Sequence, residues 1–297
     1  LNDVLRLSRG MTYKNAISGL NLGGGKAVII GDSKTQKSEA LFRRFGQFVN
    51  GLAGKYITAE DVGISPSDMQ WVSEETNYVV GLPGKSGDPS PVTAFGVYMG
   101  MKAAAKYQFG SDNLDGKRVL VQGTGHVGET LISYLRKEGA EVFVSDIHQD
   151  KMENMVAKYG AKIFTGADLY SADVDIYSPC ALGATINDDT VYKINAKVIA
   201  GAANNQLAVE AVHGKILRER GIAYAPDFLI NAGGIINVYG EIVKYQEGEA
   251  IRRTENIYNT TLEIFNFADV NNMTTQQAAM QIAENRIEQR RKENATK

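Results

Sequence analysis

The chain has 297 residues, of which 43% are apolar and 22% charged, and its formal net charge is −2 at pH 7. Its length and apolar content suit two globular domains, and the nearly neutral charge gives no electrostatic basis for binding nucleic acid. Cys180 is the only cysteine, which excludes an internal disulfide framework and fits a reducing compartment. No apolar run reaches the roughly 18 residues that span a bilayer and no signal peptide opens the chain, so a cytoplasmic protein without membrane contact is expected.

The chain begins with a predicted short helix or turn over residues 1–13, followed by a strand that carries Lys14. Three glycines, Gly23–Gly25, precede Lys26, and the apolar run 27–30 behind it is typical of a buried strand. Desolvation and the second lysine nearby should both lower the pKa of Lys26, which could then act as a base near neutral pH. Lys14, if it stays charged, could bind a carboxylate. From these residues alone, a glycine-rich turn with two surface lysines is an equally good interpretation.

The rest of the first domain is predicted to mix short helices and strands. Apolar residues at helical spacing predict an amphipathic helix over 37–52, with Ser38 as its N-cap. The β-like residues 55–58 lead to Asp61, whose carboxylate near a strand end could be structural or catalytic. The next two elements are a helix and a short strand, over residues 67–76 and 77–80.

Residues 81–91 form the clearest linker, because they hold three of the six prolines and three glycines, a composition that excludes a helix. We place the domain boundary there. A long helix rich in alanine and methionine is predicted to follow over residues 92–109.

The second informative stretch combines a strand over 118–122, a GxGxxG motif, a helix over 129–138 and a strand over 141–145 that ends at an acid. Together these features are typical of a dinucleotide-binding unit, in which the glycines admit a pyrophosphate at the helix N-terminus and the acid binds the ribose diol. The acid should oppose the 2′-phosphate of NADP, and no arginine follows it, so the predicted cofactor is NAD. A glycine turn that binds nothing is the less favoured alternative, and the histidine of the motif is expected simply to be exposed. The predicted cofactor residues here are Gly123, Thr124, Gly125, His126, Val127, Gly128, Asp146 and Ile147.

Strands and helices continue to alternate beyond this unit, which predicts a doubly wound parallel sheet with ligand-binding loops at one edge. Three of these loops, 179–184, 201–206 and 230–234, are small and amide-rich, as a nicotinamide pocket requires. Cys180 is expected to be structural rather than nucleophilic, because no histidine motif supports it. The predicted cofactor residues in these loops are Cys180, Ala181, Leu182, Ala203, Asn204 and Asn231. Further strands are predicted over 162–164, 174–178, 196–200 and 223–225, and further helices over 151–159, 208–220, 249–267 and 274–291.

The order of residues in several segments is more specific than their composition. The segments LNLGGGKAVIIGD (20–32), CALGATIND (180–188), AGAANNQL (200–207) and INAGGIINV (230–238) resemble the glutamate/leucine/phenylalanine/valine dehydrogenase family, and the resemblance covers essentially the whole chain. Ser33 stands where the family commonly has Pro or Leu, a difference that affects only the following turn.

The resemblance implies a two-domain α/β fold and the reversible, NAD-dependent oxidative deamination of an L-amino acid to its 2-oxo acid and ammonia. Lys26 would be the catalytic acid/base, and Lys14 would bind the substrate carboxylate. Asp61, in ITAEDVG, would exchange the proton of the substrate amine. The implied division is a substrate domain over 1–88, an NAD-binding domain over 89–270 and a C-terminal helix, 271–297, that returns to the first domain.

The same resemblance places Gly24 and Asn205 at the substrate, with Ala59, Ile235 and Val238 around its side chain. These three residues are apolar, which favours branched aliphatic amino acids, namely leucine, valine and isoleucine. Valine, phenylalanine and glutamate dehydrogenases are alternatives. Alignment on the two lysines predicts that about fifty family residues precede Leu1. If they are absent from the molecule, the alternative is a dinucleotide-binding protein without turnover. A homo-oligomer, dimer or octamer, and no metal are expected.

Overall fold

A sheet of parallel strands organises the chain after residue 118. The computed structural model, which describes residues 1–82, 84–85 and 87–296, contains β1 (Arg118–Gln122), β2 (Glu141–Ser145), β3 (Lys162–Ile163), β4 (Ile176–Pro179), β5 (Val198–Ile199) and β6 (Ala223–Tyr224). Their order across the sheet is β3-β2-β1-β4-β5-β6, with every pair parallel. The predicted doubly wound parallel sheet is therefore confirmed. Its order reverses between β1 and β4, where ligands bind in sheets of this kind.

Helices cover the sheet and build most of the first part of the chain. They are α1 (Asn2–Ile17), α2 (Glu39–Gly51), α3 (Pro66–Ser73), α4 (Ser90–Phe109), α5 (His126–Lys137), α6 (Gln149–Tyr159), α7 (Glu210–Glu219), α8 (Asp227–Ile230), α9 (Gly233–Val243), α10 (Glu249–Glu255), α11 (Ile257–Val270) and α12 (Thr275–Ala295). The predicted N-cap of α2 is confirmed, because the Ser38 side chain accepts the N–H of Leu41.

The main core lies between the sheet and α4. Val97 and Met101 of α4 are fully buried, as are Val119 and Val121 of β1, and α4 packs against α5, α8, α9, α10 and α11. Leu120, which faces the other side of the sheet, is also fully buried. Burial of β1 on both faces is what a central parallel strand between helix layers requires. The core thus fixes the glycine-rich loop after β1 and the loops after β4 and β5 relative to one another.

A smaller core holds the first part of the chain together. Phe42 of α2 and Met69 and Val72 of α3 bury their side chains there with Val79. The predicted strands 55–58 and 77–80 reduce to one parallel bridge between Thr58 and Val79. α1 packs against α8 and α12 instead, so it belongs to the main core.

Two predictions for the first thirty residues are wrong. Lys14 lies on α1 and not on a strand, because Ala16 and Ile17 of the same helix pack into the main core against neighbouring helices. The apolar run 27–30 is not a buried strand, since Ile30 is 98% exposed. In the described part of the chain no strand pairs with this run, and a strand without a partner leaves its backbone groups unpaired.

Differences after residue 80 concern mainly where helices begin and end. α4 starts at Ser90 inside the predicted linker, whose Pro83 and Ser86 lie outside the described residues. The predicted helix over 249–267 is divided at Asn256 into α10 and α11. The predicted loop 230–234 is the junction of α8 and α9, and α9 itself was not predicted. α5 begins at His126, three residues earlier than predicted.

Candidate active site

Helix α1 holds the glycine run that precedes Lys26. Asn15, which is buried, donates its side-chain amide to the carbonyl oxygen of Gly23 at 2.5 Å. A Cβ added to Gly24 would collide with the Ser8 carbonyl and with Thr12, so only glycine allows the segment to lie against this helix. Lys14 lies next to Asn15 on α1. The helix that carries Lys14 therefore also holds the segment that carries Lys26.

Lys26 forms an ion pair with Asp61. The ring of Tyr56 lies next to Gly25, which brings the segment that leads to Asp61 against the glycine run. The other oxygen of Asp61 accepts the N–H of Val62 at 2.7 Å. Both members of the pair reach solvent, so a proton could pass between them or exchange with water. The structure thus brings together the two residues predicted to be catalytic.

Lys14 connects α1 to the loops of the parallel sheet. Its Nζ donates to Oδ1 of Asn204 at 3.3 Å, and Asn231 donates to the same oxygen at 2.7 Å. Burial lowers the pKa of Lys14 to about 8; the carboxylate of Asp227 opposes this shift and the charge of Lys26 adds to it. Lys14 is therefore still mostly protonated at pH 7.

The glycine-rich loop has the shape that a pyrophosphate needs. Gly123 has φ +103°, and a Cβ there would meet Ala181 at 2.9 Å. A Cβ on Gly128 would collide with the carbonyl of Gly123, so the loop is drawn tightly against α5. Gly125 is the N-cap of α5, whose first backbone N–H groups and positive dipole end favour an anion. These features fit a dinucleotide.

Asp146, at the end of β2, is held as an oriented carboxylate. The N–H and hydroxyl of Thr124 donate to its Oδ2 at 2.7 and 2.9 Å, and the N–H of His148 donates to its Oδ1 at 3.0 Å. Burial favours the neutral acid, but these hydrogen bonds outweigh it and the pKa of Asp146 lies below its usual value. The group is therefore charged at neutral pH, as binding of a ribose diol requires.

The other predicted cofactor residues differ in their surroundings. The side chain of His126 is 84% exposed, as expected, and its Nδ1 lies 3.6 Å from Asp88. Val127 packs on the main core, whereas Ile147 and Leu182 are exposed. Burial raises the pKa of the Cys180 thiol, which therefore makes a poor nucleophile.

The loop after β5 presents Asn204, rather than Asn205, to Lys14. Asn205 has a positive φ of 53° and its carbonyl accepts the N–H of Ala184, so it shapes the loop. Ala203, two residues before Asn205, is buried. The amide that reaches Lys14 is thus the one predicted for the cofactor.

The predicted side-chain pocket involves two parts of the chain. Ala59, which follows the bridge at Thr58, is half-buried, as is Ile235 on α9. Val238, one turn further along α9, is buried and points toward Gly81 of the linker. The linker is tied to α9 because Glu241 accepts the N–H of Gly81 at 3.0 Å.

Asp227, a buried carboxylate at the start of α8, was not predicted from the sequence as a site residue. Its charge acts on Lys14. The available signal was its position directly after a strand of the parallel sheet, at the edge where ligands bind.

The described residues contain no cluster of three histidine, cysteine or acidic side chains that could hold a metal ion. Among their helices, none has the length and apolar character needed to cross a bilayer.

Comparison with known proteins identifies the family. Residues 1–78 match the Glu/Leu/Phe/Val dehydrogenase dimerisation domain, and residues 84–148 and 144–295 match Glutamate/Leucine/Phenylalanine/Valine dehydrogenase. Leucine dehydrogenase of Thermoactinomyces intermedius is 52% identical over 299 residues, which cover 100% of this chain and 81% of the relative. Phenylalanine dehydrogenase of Lysinibacillus sphaericus is 44% identical over 303 residues, covering 99% and 79%. The crystal structure of L-tryptophan dehydrogenase from Nostoc punctiforme has a TM-score of 0.88 at 45% identity, covering 98% of this chain and 84% of that one. Matches of this extent show that the chain belongs to the glutamate/leucine/phenylalanine/valine dehydrogenase family of amino-acid oxidoreductases.

Proposed function

We propose that this protein oxidises the branched-chain L-amino acids leucine, valine and isoleucine to their 2-oxo acids and ammonia, reversibly and with NAD. The observation that supports the chemistry best is the Lys26–Asp61 ion pair beside Lys14. It offers a base, an acid and a separate cation within one site, which is what deamination of an amino acid needs.

Lys14 binds the carboxylate of the substrate. Its ammonium is largely retained at neutral pH, and its bond to Asn204 directs it toward the loops of the predicted nicotinamide pocket. A fixed charge at this place orients the Cα of the substrate and leaves the amine for the other two groups. A bound NAD would supply the hydride acceptor, and loss of hydride from the Cα of the neutral amine would leave a protonated imine.

Lys26 and Asp61 move the protons. Asp61 takes a proton from the substrate amine before hydride transfer. Lys26, in its neutral form, then removes a proton from the water that attacks the imine carbon. Asp61 then gives its proton to the amino group of the resulting carbinolamine. As the C–N bond breaks, the Asp61 carboxylate accepts the hydroxyl proton, and ammonia and the 2-oxo acid are formed. The direct contact of the two residues allows them to exchange a proton between steps.

NAD is proposed over NADP because of Asp146. Thr124 and His148 hold this carboxylate in its charged form at the end of β2. It would accept hydrogen bonds from the ribose hydroxyls, and it would repel a 2′-phosphate. Residues 147–149 contain no arginine that could offset the repulsion. The pyrophosphate would lie at Gly123–Gly128, at the start of α5.

The aliphatic substrate class is proposed from Ala59, Ile235 and Val238. An unpaired second carboxylate in such surroundings costs several kcal/mol on any estimate, which opposes glutamate. Aromatic amino acids are the second candidate, because similar relatives are named phenylalanine and L-tryptophan dehydrogenase. One methylene is worth only about 1–3 kcal/mol, so discrimination among the three aliphatic substrates should be slight.

A substrate panel tests the proposal. Purified protein is assayed for NADH formation with leucine, valine, isoleucine, phenylalanine, tryptophan and glutamate, and with NADP in place of NAD. We expect the aliphatic substrates to give the highest kcat/KM, and NAD to be preferred. Phenylalanine, tryptophan or glutamate turning over tenfold better than leucine would exclude the assignment. A protein that binds NADH but turns over none of them would be the non-enzymatic alternative.

We further propose a homo-oligomer in the cytoplasm, with the chain divided into the domains 1–88 and 89–270 and a C-terminal helix over 271–297. The match of residues 1–78 to a dimerisation domain supports assembly. The packing of α12 on α1 supports the return of the last helix. Light scattering after gel filtration would measure the size of the assembly.

A further inference from the structure

A buried carboxylate outside the proposed catalytic pair acts on the substrate lysine. Asp227 is only 5% exposed. Its Oδ2 accepts the backbone N–H of Gln206 at 2.9 Å, and its Oδ1 accepts that of Phe228 at 2.7 Å. Burial of a charged carboxylate is costly, and hydrogen bonds or a nearby cation must offset it.

The charge of Lys14 favours the ionised form of this carboxylate. α1, which carries Lys14, packs against α8, which begins at Asp227. Burial raises the pKa of Asp227, while the N–H of Gln206 and the charge of Lys14 hold it down. In return, the charge of Asp227 opposes the fall in the pKa of Lys14 that burial and Lys26 cause. Each group therefore favours the charged form of the other.

A second connection runs through Gln206. The backbone of this residue donates to Asp227, and its fully buried side chain donates to the carbonyls of Gly201 and Ala203 at 2.8 and 3.0 Å. These bonds fix the loop after β5, which presents Asn204 to Lys14. Asp227 thus contributes to both the charge and the position of the site.

Other titratable groups near Asp227 and Lys14 do not supply the negative charge that Asp227 provides to Lys14. Glu210 of α7 adds negative charge that raises the pKa of Asp227. Tyr224 is buried and its pKa lies well above its usual value, so it stays neutral. Glu284 of α12 accepts a hydrogen bond from Tyr13, which is the residue before Lys14 on α1.

We propose that Asp227 is a positioning residue for substrate binding, which keeps Lys14 charged and holds the loop 201–206 against it. The inference rests on the proposed function, in which Lys14 binds the substrate carboxylate. Asp227 itself is too buried to meet the substrate, and it acts through Lys14.

The first test needs no turnover. Acetic anhydride in limiting amount acetylates amines only in their neutral form. Peptide mass spectrometry measures how far Lys14 is labelled at each pH. The pH dependence of this labelling gives the protonation of Lys14. We expect a midpoint of about 8 in the unmodified protein. It should lie about one pH unit lower in Asp227→Asn, and it should be unchanged in Asp227→Glu, which keeps the charge. Asp68→Asn removes another buried carboxylate, on α3, and is the matched control. An unchanged midpoint in folded Asp227→Asn overturns the proposal.

The second test uses the pH dependence of KM for leucine. Asp227→Asn should raise KM about tenfold near pH 9 and hardly at all near pH 6, where Lys14 is protonated in both proteins. A merely structural role would raise KM equally at all pH values, which would also overturn the proposal.

If Asp227→Asn does not fold, Asp227→Ser, whose hydroxyl can still accept the Gln206 N–H, takes its place in both tests. If the unmodified protein deaminates no amino acid, the proposed function fails, whereas the labelling experiment still decides how Asp227 affects Lys14.

Discussion

Asn204 accepts a hydrogen bond from Lys14, with 3.3 Å between the amide Oδ1 and the lysine Nζ. Asn231 donates to the same oxygen, so the orientation of the amide is fixed. Lys14 lies on α1 and Asn204 in the loop after β5, and this bond joins the proposed carboxylate anchor to the proposed nicotinamide pocket. A change in this loop should therefore affect binding of the amino acid as well as the cofactor.

Replacement of Asn204 by aspartate should weaken substrate binding. The new carboxylate would pair with Lys14 and repel the carboxylate of the substrate, and we expect KM for leucine to rise about tenfold or more with a smaller change in kcat. Asn204→Ala removes the hydrogen bond without adding charge, and should raise KM less. Steady-state kinetics at pH 7 compare the two variants, and equal effects would show that charge is not the cause.

Removal of the Lys26 amine should abolish most of the acid–base chemistry. We expect Lys26→Ala to lower kcat by about 10²–10⁴-fold while NADH still binds, as followed by its fluorescence. Asp61→Asn should do similar damage, since an amide cannot take the proton of the substrate amine. Lys34→Ala, in the exposed turn that follows, is the control. Near-normal kcat in Lys26→Ala would rule out the proposed mechanism.

The pH dependence of KM should reflect Lys14. Its charged form binds the substrate carboxylate, and burial lowers its pKa to about 8. KM for leucine should therefore be constant below that pH and rise above it, as the ammonium is lost. Lys14→Arg keeps its charge throughout this range, so KM of the variant should not rise between about pH 7 and 9, whatever its absolute value. A rise of the same size in that variant would assign the ionisation to another group.

The choice of cofactor should depend on Asp146. Asp146→Ser removes the charge that opposes a 2′-phosphate, and we expect the ratio of kcat/KM for NADP to that for NAD to rise at least about tenfold. The serine keeps a hydroxyl for the ribose, so activity with NAD should fall but persist. Asp150→Ser, in the first turn of α6, removes an exposed carboxylate nearby and should leave the ratio unchanged.

The dinucleotide unit could be predicted because its signals are local. Strand β1, the glycines at 123, 125 and 128 and the acid at the tip of β2 follow one another in sequence, and each has a physical reason for its place. Sequence pattern could not supply the bonds from Thr124 that orient Asp146, because they join two separate loops. It also missed α9, whose two leading glycines disfavour a helix. Gly233 is required there because a Cβ would collide with the carbonyl of Val92 on α4.

The substrate site could be predicted only in part, because it depends on contacts between distant segments. The catalytic roles of Lys26 and Asp61 were predicted from resemblance to the family and not from spacing, and their ion pair is seen only in the structure. Local pattern placed Lys14 on a strand, but packing of α1 against α8 and α12 makes it helical. The same packing buries Lys14 and so lowers its pKa. The effect of Asp227 on Lys14 could not be predicted, because the two residues are far apart in sequence.

Two adjacent glycines provide the sharpest test of how the site is held. A Cβ on Gly24 would collide with the Ser8 carbonyl and with Thr12 of α1, whereas a Cβ on Gly23 meets nothing within 4 Å. Gly24→Ala should push the segment that carries Lys26 away from α1, and we expect kcat to fall at least about a hundredfold, because a displacement of about 1 Å can cost that much. Gly23→Ala should keep activity within a few-fold of the unmodified protein.

The two glycine variants should differ little in thermal stability, because both positions are exposed and neither has a left-handed φ. A melting curve for each protein excludes general unfolding as the cause of lost activity. Equal loss of kcat in both would mean that backbone freedom of the glycine run, rather than its contact with α1, sets the position of Lys26. Full activity in Gly24→Ala would mean that the approach of this segment to α1 does not matter for catalysis.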